Sequence, residues 1–455
     1  MIERVIRSAA VRVARARPRD ASGASRRVHI VLMTAFGGDG TTRTTLNLAT
    51  YLTARGYEVS LISVHRDRKK PFFAFPAGVR VRVLDDKRPR LVRNLFRPLR
   101  ALLRRWPSVF MHPDDLAFRS TSLWTDWKLV KALRRRTGFL ISTRPGLNLT
   151  ATFLKPPGLV LIGQEHMNLG DHSEALQEAI QREYPKLVTL SVLTPRDRKA
   201  YKAHLGTKPR VVRIPNAARD MGGVRADLTA KRVLAAGRLV RQKGYDRLIK
   251  AWSIVSPSHP DWRLHIYGQG PKQERLEELI EEHGLSEVVT LAPPVEEIGT
   301  EMSRASIFAL SSRWEGLPLV LLEAMGVGMA VVSFDCPTGP ASVIDDHENG
   351  LLIRPRTIAA FAAGLEEMIS DGELRRRCSA AAIERMREYS MDVIGPRWEE
   401  ELERAWQKRY PGEAARTESA PADAPASGSA SGRISSSASA AAEEPPAASK
   451  PRATR

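Results

Sequence analysis

Short apolar runs alternate with amphipathic stretches along most of the chain, and their two periods separate strands from helices. "RVHIVLMTA" (27–35) predicts a buried strand, "TTLNLATYLTARG" (44–56) a helix closed by Gly56, and "YEVSLISV" (57–64) the next strand. The runs "VRVRVL" (79–84), "GFLIST" (138–143), "LVLIGQE" (159–165), "LVTLSVLT" (187–194) and "PRVVRIP" (209–215) extend the pattern. Strands alternating with helical stretches predict a doubly wound parallel sheet.

The alternation pauses at "NAARDMGGVRADLTAK" (216–231), which is small and polar and reads as a linker. It restarts with "RVLAAGRL" (232–239), a helix from about Asp246, "RLHIYGQG" (263–270) and the charged helix "KQERLEELIEEHG" (272–284). "VVTLAP" (288–293), "SIFALSS" (306–312) and "GMAVVSF" (328–334) complete a second sheet of the same kind. After Arg356 the pattern is helical to Tyr410, and from Pro411 onward Ala, Ser, Pro and Gly with balanced charge predict a disordered tail. The expected organisation is a basic arm (1–27), a Rossmann-like domain (28–220), a linker (221–231), a second Rossmann-like domain with C-terminal helices (232–410) and the tail (411–455). In such a pair the strand ends of both sheets surround one central cleft, where ligands of open α/β sheets bind.

Composition narrows the classes. The 455 residues hold two cysteines, Cys336 and Cys378, which argues against a disulfide framework or a cysteine zinc site and fits a reducing cytoplasm. The most apolar stretch, 317–334, is interrupted by Pro318, Glu323, Gly326 and Gly328, so it reads as buried helix, turn and strand. The N-terminus has no apolar core of signal-peptide type.

The net charge of +20 is concentrated. Residues 1–28 carry eight arginines against Glu3 and Asp20, and residues 66–105 carry fourteen Lys or Arg against three Asp. Residues 1–17 place Ile2, Val5, Ile6, Ala9 and Val13 on one helical stripe opposite Arg4, Arg7 and Arg15, which suits an interfacial helix or a poorly ordered basic arm. "LVRNLFRPLRALLRRW" (91–106) joins cations to Leu91, Val92, Leu95, Phe96, Leu99, Leu102 and Leu103, with Pro98 arguing against one unbroken helix. Cationic and apolar together, it suits an anionic membrane surface, and no nucleic acid is expected because no known module accompanies the charge. The expected location is the cytoplasm, peripheral at the inner face of the plasma membrane.

"FGGDGTTRTTLNLA" (36–49) follows the first strand as a phosphate-binding loop does and looks like the loop of partition-type ATPases. That chemistry needs lysines, which here are Phe36 and Thr41, and Arg43 is out of register.

Three motifs stand in order in the second half: "AGRLVRQKGYDRLI" (236–249), "IYGQGP" (266–271) and "SSRWEGLPLVLLEAMGVG" (311–328). In the third, a strand leads through a loop to Pro318 just inside a helix start. The free amides of Gly316, Leu317, Leu319 and Val320 then form an anion-binding mouth, with Glu315 before the helix and Glu323 more than a turn inside it.

These residues, with "CPTGPASVIDDHENGLLI" (336–353), resemble the donor half of family 4 retaining glycosyltransferases, the glycosyl transferases group 1, which have the GT-B fold. The similarity spans roughly residues 28–410 and is strong in the second half. It implies that Arg238 and Lys243 bind the diphosphate of a nucleotide-sugar donor, that Glu315 contacts the donor sugar and that Glu323 holds the ribose hydroxyls. It implies that Gly37 and Gly38 let backbone approach the diphosphate from across the cleft. It puts His166 in "GQEHMN" (163–168), with Glu165 and Asn168 as neighbours, near the donor and acceptor sugars. Gly268 is a further candidate for the donor, and Gly339, Pro340 and Ser342 read equally as a turn or a lid.

The chemistry suits the residue types. A departing diphosphate gains negative charge, and two cations with a helix N-terminus stabilise it electrostatically. No Asp-x-Asp occurs in the second half, so no metal and no cofactor are expected. The expected activity is hexosyl transfer with retained anomeric configuration, to a lipid-linked or cell-envelope glycan. A non-catalytic basic membrane- or nucleic-acid-binding protein and a partition-type ATPase are the competing readings.

Overall fold

The computed structural model describes residues 2–16, 18, 24–88, 97–295 and 297–411. The expected tail from 412 onward, and Leu91, Val92, Leu95 and Phe96, lie outside the described residues.

The first half holds strands β1 (Arg27–Leu32), β2 (Glu58–Arg66), β3 (Arg80–Asp86), β4 (Gly138–Ser142), β5 (Leu159–Gln164), β6 (Thr189–Val192) and β7 (Arg210–Arg213). They form one parallel sheet in the order β3-β2-β1-β4-β5-β6-β7. Its helices are α1 (Ile2–Ala14), α2 (Gly40–Ala54), α3 (Arg97–Arg104), α4 (Leu123–Leu133), α5 (Pro145–Leu154), α6 (Glu174–Glu183) and α7 (Pro195–Leu205). The second half holds β8 (Arg232–Ala236), β9 (Arg263–Tyr267), β10 (Val289–Ala292), β11 (Ile307–Leu310), β12 (Ala330–Phe334) and β13 (Leu351–Ile353), parallel in the order β10-β9-β8-β11-β12-β13. Helices α8 (Tyr245–Val255), α9 (Gln273–Glu282), α10 (Ile298–Ser303), α11 (Leu319–Val327), α12 (Ile358–Ser370), α13 (Gly372–Met386) and α14 (Met391–Arg409) complete it.

Strands buried on both faces read as continuous apolar runs, and β4, β5 and β12 are buried at every position. Each sheet therefore carries a core on both sides. Leu140, Leu161 and Leu190 face α4 and α5, whereas Ile30, Phe139 and Ile162 face α2 and α14. Helix α14 comes from the far end of the chain and lays Ile394, Trp398, Leu402 and Trp406 on the first sheet. At the N-terminus, Ala10 and Ala14 of α1 pack into the first-half core, so this segment is a docked helix.

Two readings are corrected. Helix α2 starts at Gly40, earlier than Thr44, because Asp39 caps it by accepting from the Thr42 N–H at 3.0 Å. Strand β13 was not anticipated, since three residues are too few to show a period. Pro98 lies in the first turn of α3, where its absent N–H has no intrahelical partner to lose, and the helix begins only at Arg97. Among the described residues no helix is long and apolar enough to cross a membrane.

Candidate active site at the cleft between the sheets

In both sheets the order reverses beside the first strand, between β1 and β4 and between β8 and β11. Such switch points leave a crevice at the carboxyl ends of the strands. The loop after β1 carries Gly37 and Gly38, the loop after β8 carries Arg238 and Lys243, and the loop after β11 carries Glu315. Topology thus gathers motifs that lie far apart in sequence.

The β8 and β11 loops are stitched together before any ligand is considered. Arg313 N–H donates to Gln242 O (2.7 Å), Gln242 Nε2 to Trp314 O (3.1 Å) and Ser311 Oγ to Lys243 O (3.0 Å). Arg313 also forks onto Asp246 at 2.8 and 2.6 Å. Gly244 makes the approach feasible: its φ is +65°, and a side chain there would overlap Ser311 O. The result holds Lys243 Nζ 2.7 Å from Glu315 Oε1, with the two side chains only 15% and 7% exposed. Ser312 Oγ donates to the same oxygen at 2.7 Å. The backbone of Glu315 is clamped by its N–H to Pro337 O and by the Thr338 N–H to its own O, both at 2.7 Å.

Pro318 is the N-cap of α11, one position before the predicted one. The helix's first turn closes with the Leu321 and Leu322 N–H groups on Pro318 O. The N–H groups of Gly316, Leu317, Leu319 and Val320 carry no intramolecular hydrogen bond among the described residues, which leaves the expected anion-binding mouth. Glu323 lies on the second turn of α11, and Arg43 of α2 reaches across the cleft to form an ion pair with its Oε1. Burial pushes the Glu323 carboxyl up, and Arg43 partly offsets the shift. The Arg43 guanidinium rests on the Phe73 ring, 4.3 Å from its centroid. Arg43 is therefore a site residue that reasoning from the loop alone missed. The available signal was a cation one turn into a helix whose N-terminus faces the cleft.

From the first half, the loop after β5 meets the same place. A side chain at Gly316 would overlap His166 O, so backbone touches backbone across the cleft. Both ring nitrogens of His166 are buried without a protein partner, and burial lowers its pKa to about 4, leaving a neutral imidazole with one donor and one acceptor. Asn168 Nδ2 donates to Glu315 O (3.3 Å) and Thr338 Oγ1 donates to Asn168 Oδ1 (2.7 Å). Glu165 points elsewhere: it accepts from Tyr184 Oη and from Asn148 Nδ2 (2.9 Å) inside the first half, and burial raises it to about 8.

The other predicted residues are less engaged. Arg238 is exposed at the end of β8, and its side chain has no partner among the described residues. Gly268 donates its N–H to Ala292 O (2.9 Å), and a side chain there would overlap Gly237 O. Gly37 and Gly38 precede α2, with Gly38 against the Phe72 ring, and Gly40 approaches Leu319 of α11. The loop's own anion position is filled by the Asp39 carboxylate, and Arg43 is committed to Glu323. That arrangement is unlike one that cradles ATP. Among the described residues no group of three or more His, Cys, Asp or Glu could hold a metal ion.

Residues 218–385 match a sequence-family model described as glycosyl transferases group 1. Over this segment, which holds Arg238, Lys243, Glu315 and Glu323, the chain is similar to the group 1 glycosyltransferases. An exopolysaccharide phosphotransferase of Streptomyces coelicolor is 34% identical over 370 residues, covering 79% of this chain and 39% of that protein. The chain thus spans about two fifths of that relative's length. An uncharacterized glycosyltransferase of Haemophilus influenzae is 26% identical over 82% of this chain and 99% of its own. The pneumococcal O-GlcNAc transferase GtfA, solved with UDP and GlcNAc, superposes with a TM-score of 0.65 at 15% identity, covering 83% of this chain and 99% of its own. The chain has the GT-B fold.

Proposed function

We propose that this protein moves a hexosyl group from a nucleotide-sugar donor to a glycan, with retention of anomeric configuration and without a metal. The observation that carries the reading is the junction of β11 and α11. There Glu315, its partner Lys243, four unbonded amides and Glu323 converge on one cleft. Lys243 and Arg238 would face the diphosphate, whose growing charge they and the α11 N-terminus stabilise. Glu315 would accept from hydroxyls of the donor sugar, neutral His166 would bond the sugar from the first half, and Glu323 would accept from the ribose. Similarity to the group 1 glycosyltransferases supports retention. The UDP in the solved neighbour makes uridine the first base to test.

We further assign the acceptor to the lipid-linked or cell-envelope glycans, with action at the cytoplasmic face of a membrane. A relative named for exopolysaccharide supports that class. The test is incubation with a panel of sugar nucleotides and with EDTA, reading the anomer of the product, or of the free sugar at early times, by proton NMR. Retained configuration unaffected by chelation is expected. An inverted product, loss on chelation, or no turnover of any sugar nucleotide would overturn the reading.

A further inference from the structure

Seven of the nine large apolar side chains exposed among the described residues lie between Val5 and Trp127. Scattered exposure of this kind is ordinary, but concentration in one region is not. The structure explains the concentration. Helices α1 and α3 both pack against α4, so two segments that are basic in the sequence flank a third element. The Leu123 N–H at the start of α4 donates to Trp106 O (3.1 Å), tying the end of α3 to the same helix. Leu102, Trp106 and Leu116 are 55%, 59% and 81% exposed, and Val5 and Val13 of α1 and Trp127 of α4 are exposed as well.

The charge exposed on α4 and on the segment from α3 to α4 has almost one sign, and the N-terminal segment adds two exposed arginines. Arg12, Arg15, Arg105, Arg119, Lys131 and Arg134 are exposed. Of the acids between 97 and 134, Asp115 and Asp126 are buried, and Asp114 accepts from Ser173 Oγ at 2.6 Å. Lys128 and Lys131 lie over the Trp127 ring at 5.3 and 5.5 Å, placing ammonium groups beside an exposed indole. Cations, indoles and aliphatic side chains on one face match a bilayer interface, where the ring and aliphatic groups enter the headgroup boundary and the cations meet anionic lipid. A nucleic-acid surface has no use for exposed Leu102, Leu116 and Val5.

We propose that the face formed by α1, α3, the 105–122 loop and α4 docks on an anionic phospholipid bilayer. The same loop reaches the cleft. Asp115 pairs with Arg144 (2.5 Å) and accepts from the Gly146 N–H (2.7 Å), where the chain leaves the carboxyl end of β4. A bilayer on this face lies beside the first-half wall of the cleft, where a lipid-held acceptor would enter. That last step rests on the acceptor class proposed above, whereas the docking does not.

The experiment is co-sedimentation of the full chain with phosphatidylcholine vesicles, with and without phosphatidylglycerol, read also by tryptophan emission. Binding to the anionic vesicles alone is expected, with a blue shift and a decline as salt is added. Changing Arg12 and Arg105 to Gln should weaken it roughly fivefold per cation, and Leu102→Ser with Trp106→Ser should remove the apolar part of the binding. Sugar-nucleotide hydrolysis in vesicle-free buffer should stay unchanged in all these variants. Equal binding to neutral vesicles, no binding at low salt, unchanged binding by the variants, or capture by RNA but not by vesicles would each overturn the proposal. Absence of hydrolysis in the parent chain, with vesicle binding intact, would instead overturn the glycosyl-transfer reading.

Discussion

Arg43→Met removes the cation that pairs with Glu323 from across the cleft. The side chains of the pair are 15% and 8% exposed, so solvent does little to screen it. Burial already pushes the Glu323 carboxyl upward; Arg43 is the first group opposing that, Arg219 assists, and Glu297 works against both. Without Arg43 the acid holds its proton to higher pH, and a protonated acid offers a donor where ribose hydroxyls require an acceptor. The loss is one charge-assisted hydrogen bond, about 1.5–3 kcal/mol, or roughly ten- to 150-fold in nucleotide affinity. Titration calorimetry with UDP and 2′-deoxy-UDP reads it. In the variant UDP should bind more weakly, the preference for ribose should shrink, and affinity should rise with pH as Glu323 ionises. The parent protein should show a flatter profile and a clear ribose preference. Tighter UDP binding in the variant, with ribose preference intact, would mean that Arg43 competes with the nucleotide for Glu323, and the reasoning would fail.

Arg238→Ala and Lys243→Ala should each weaken nucleoside-diphosphate binding by about ten- to 150-fold. Only the second should also lower the unfolding temperature, because Lys243 is paired and half-buried and Arg238 is exposed. Glu315→Gln should reduce transfer more than nucleotide binding; calorimetry and kinetics on the same three variants check the division. Gly316→Ala should lower kcat/KM by about five- to 150-fold, since its methyl group overlaps His166 O when the halves meet. Unfolding of Glu165→Gln tests the buried acid. Its folded pKa of about 8 lies above the ordinary 4.5, so the folded chain keeps a proton that the unfolded chain loses. That contribution is full below pH 4.5 and is lost as pH rises through 8, so the parent should lose stability relative to the variant across this window. A constant difference in urea midpoint would contradict the assignment.

Much of the architecture was readable because burial on both faces of a parallel sheet writes continuous apolar runs. All seven strands of the first sheet and five of the six in the second lie under runs identifiable from periodicity. The exception, β13, is three residues long. The candidate residues of the donor half were readable for a different reason: "EGLPLVLLEAMG" packs a loop, a helix start and two carboxylates into twelve positions. Local spacing can express that geometry.

Contacts between distant segments had no such signature. Arg43 and Glu323 are 280 positions apart, and nothing in "GGDGTTR" says that its arginine will meet a carboxylate in the other sheet. Likewise the exposed residues of α1, α3 and α4 come near one another only because both outer helices pack on α4. Glu165 and His166 are adjacent in "GQEHMN", yet one points into the first-half core and the other faces the cleft. Hydrophobic period and local motif are short-range properties, set by the neighbours of each residue along the chain. Which charge meets which, and which apolar groups remain in water, depends on how the two sheets close on each other and on what each helix packs against.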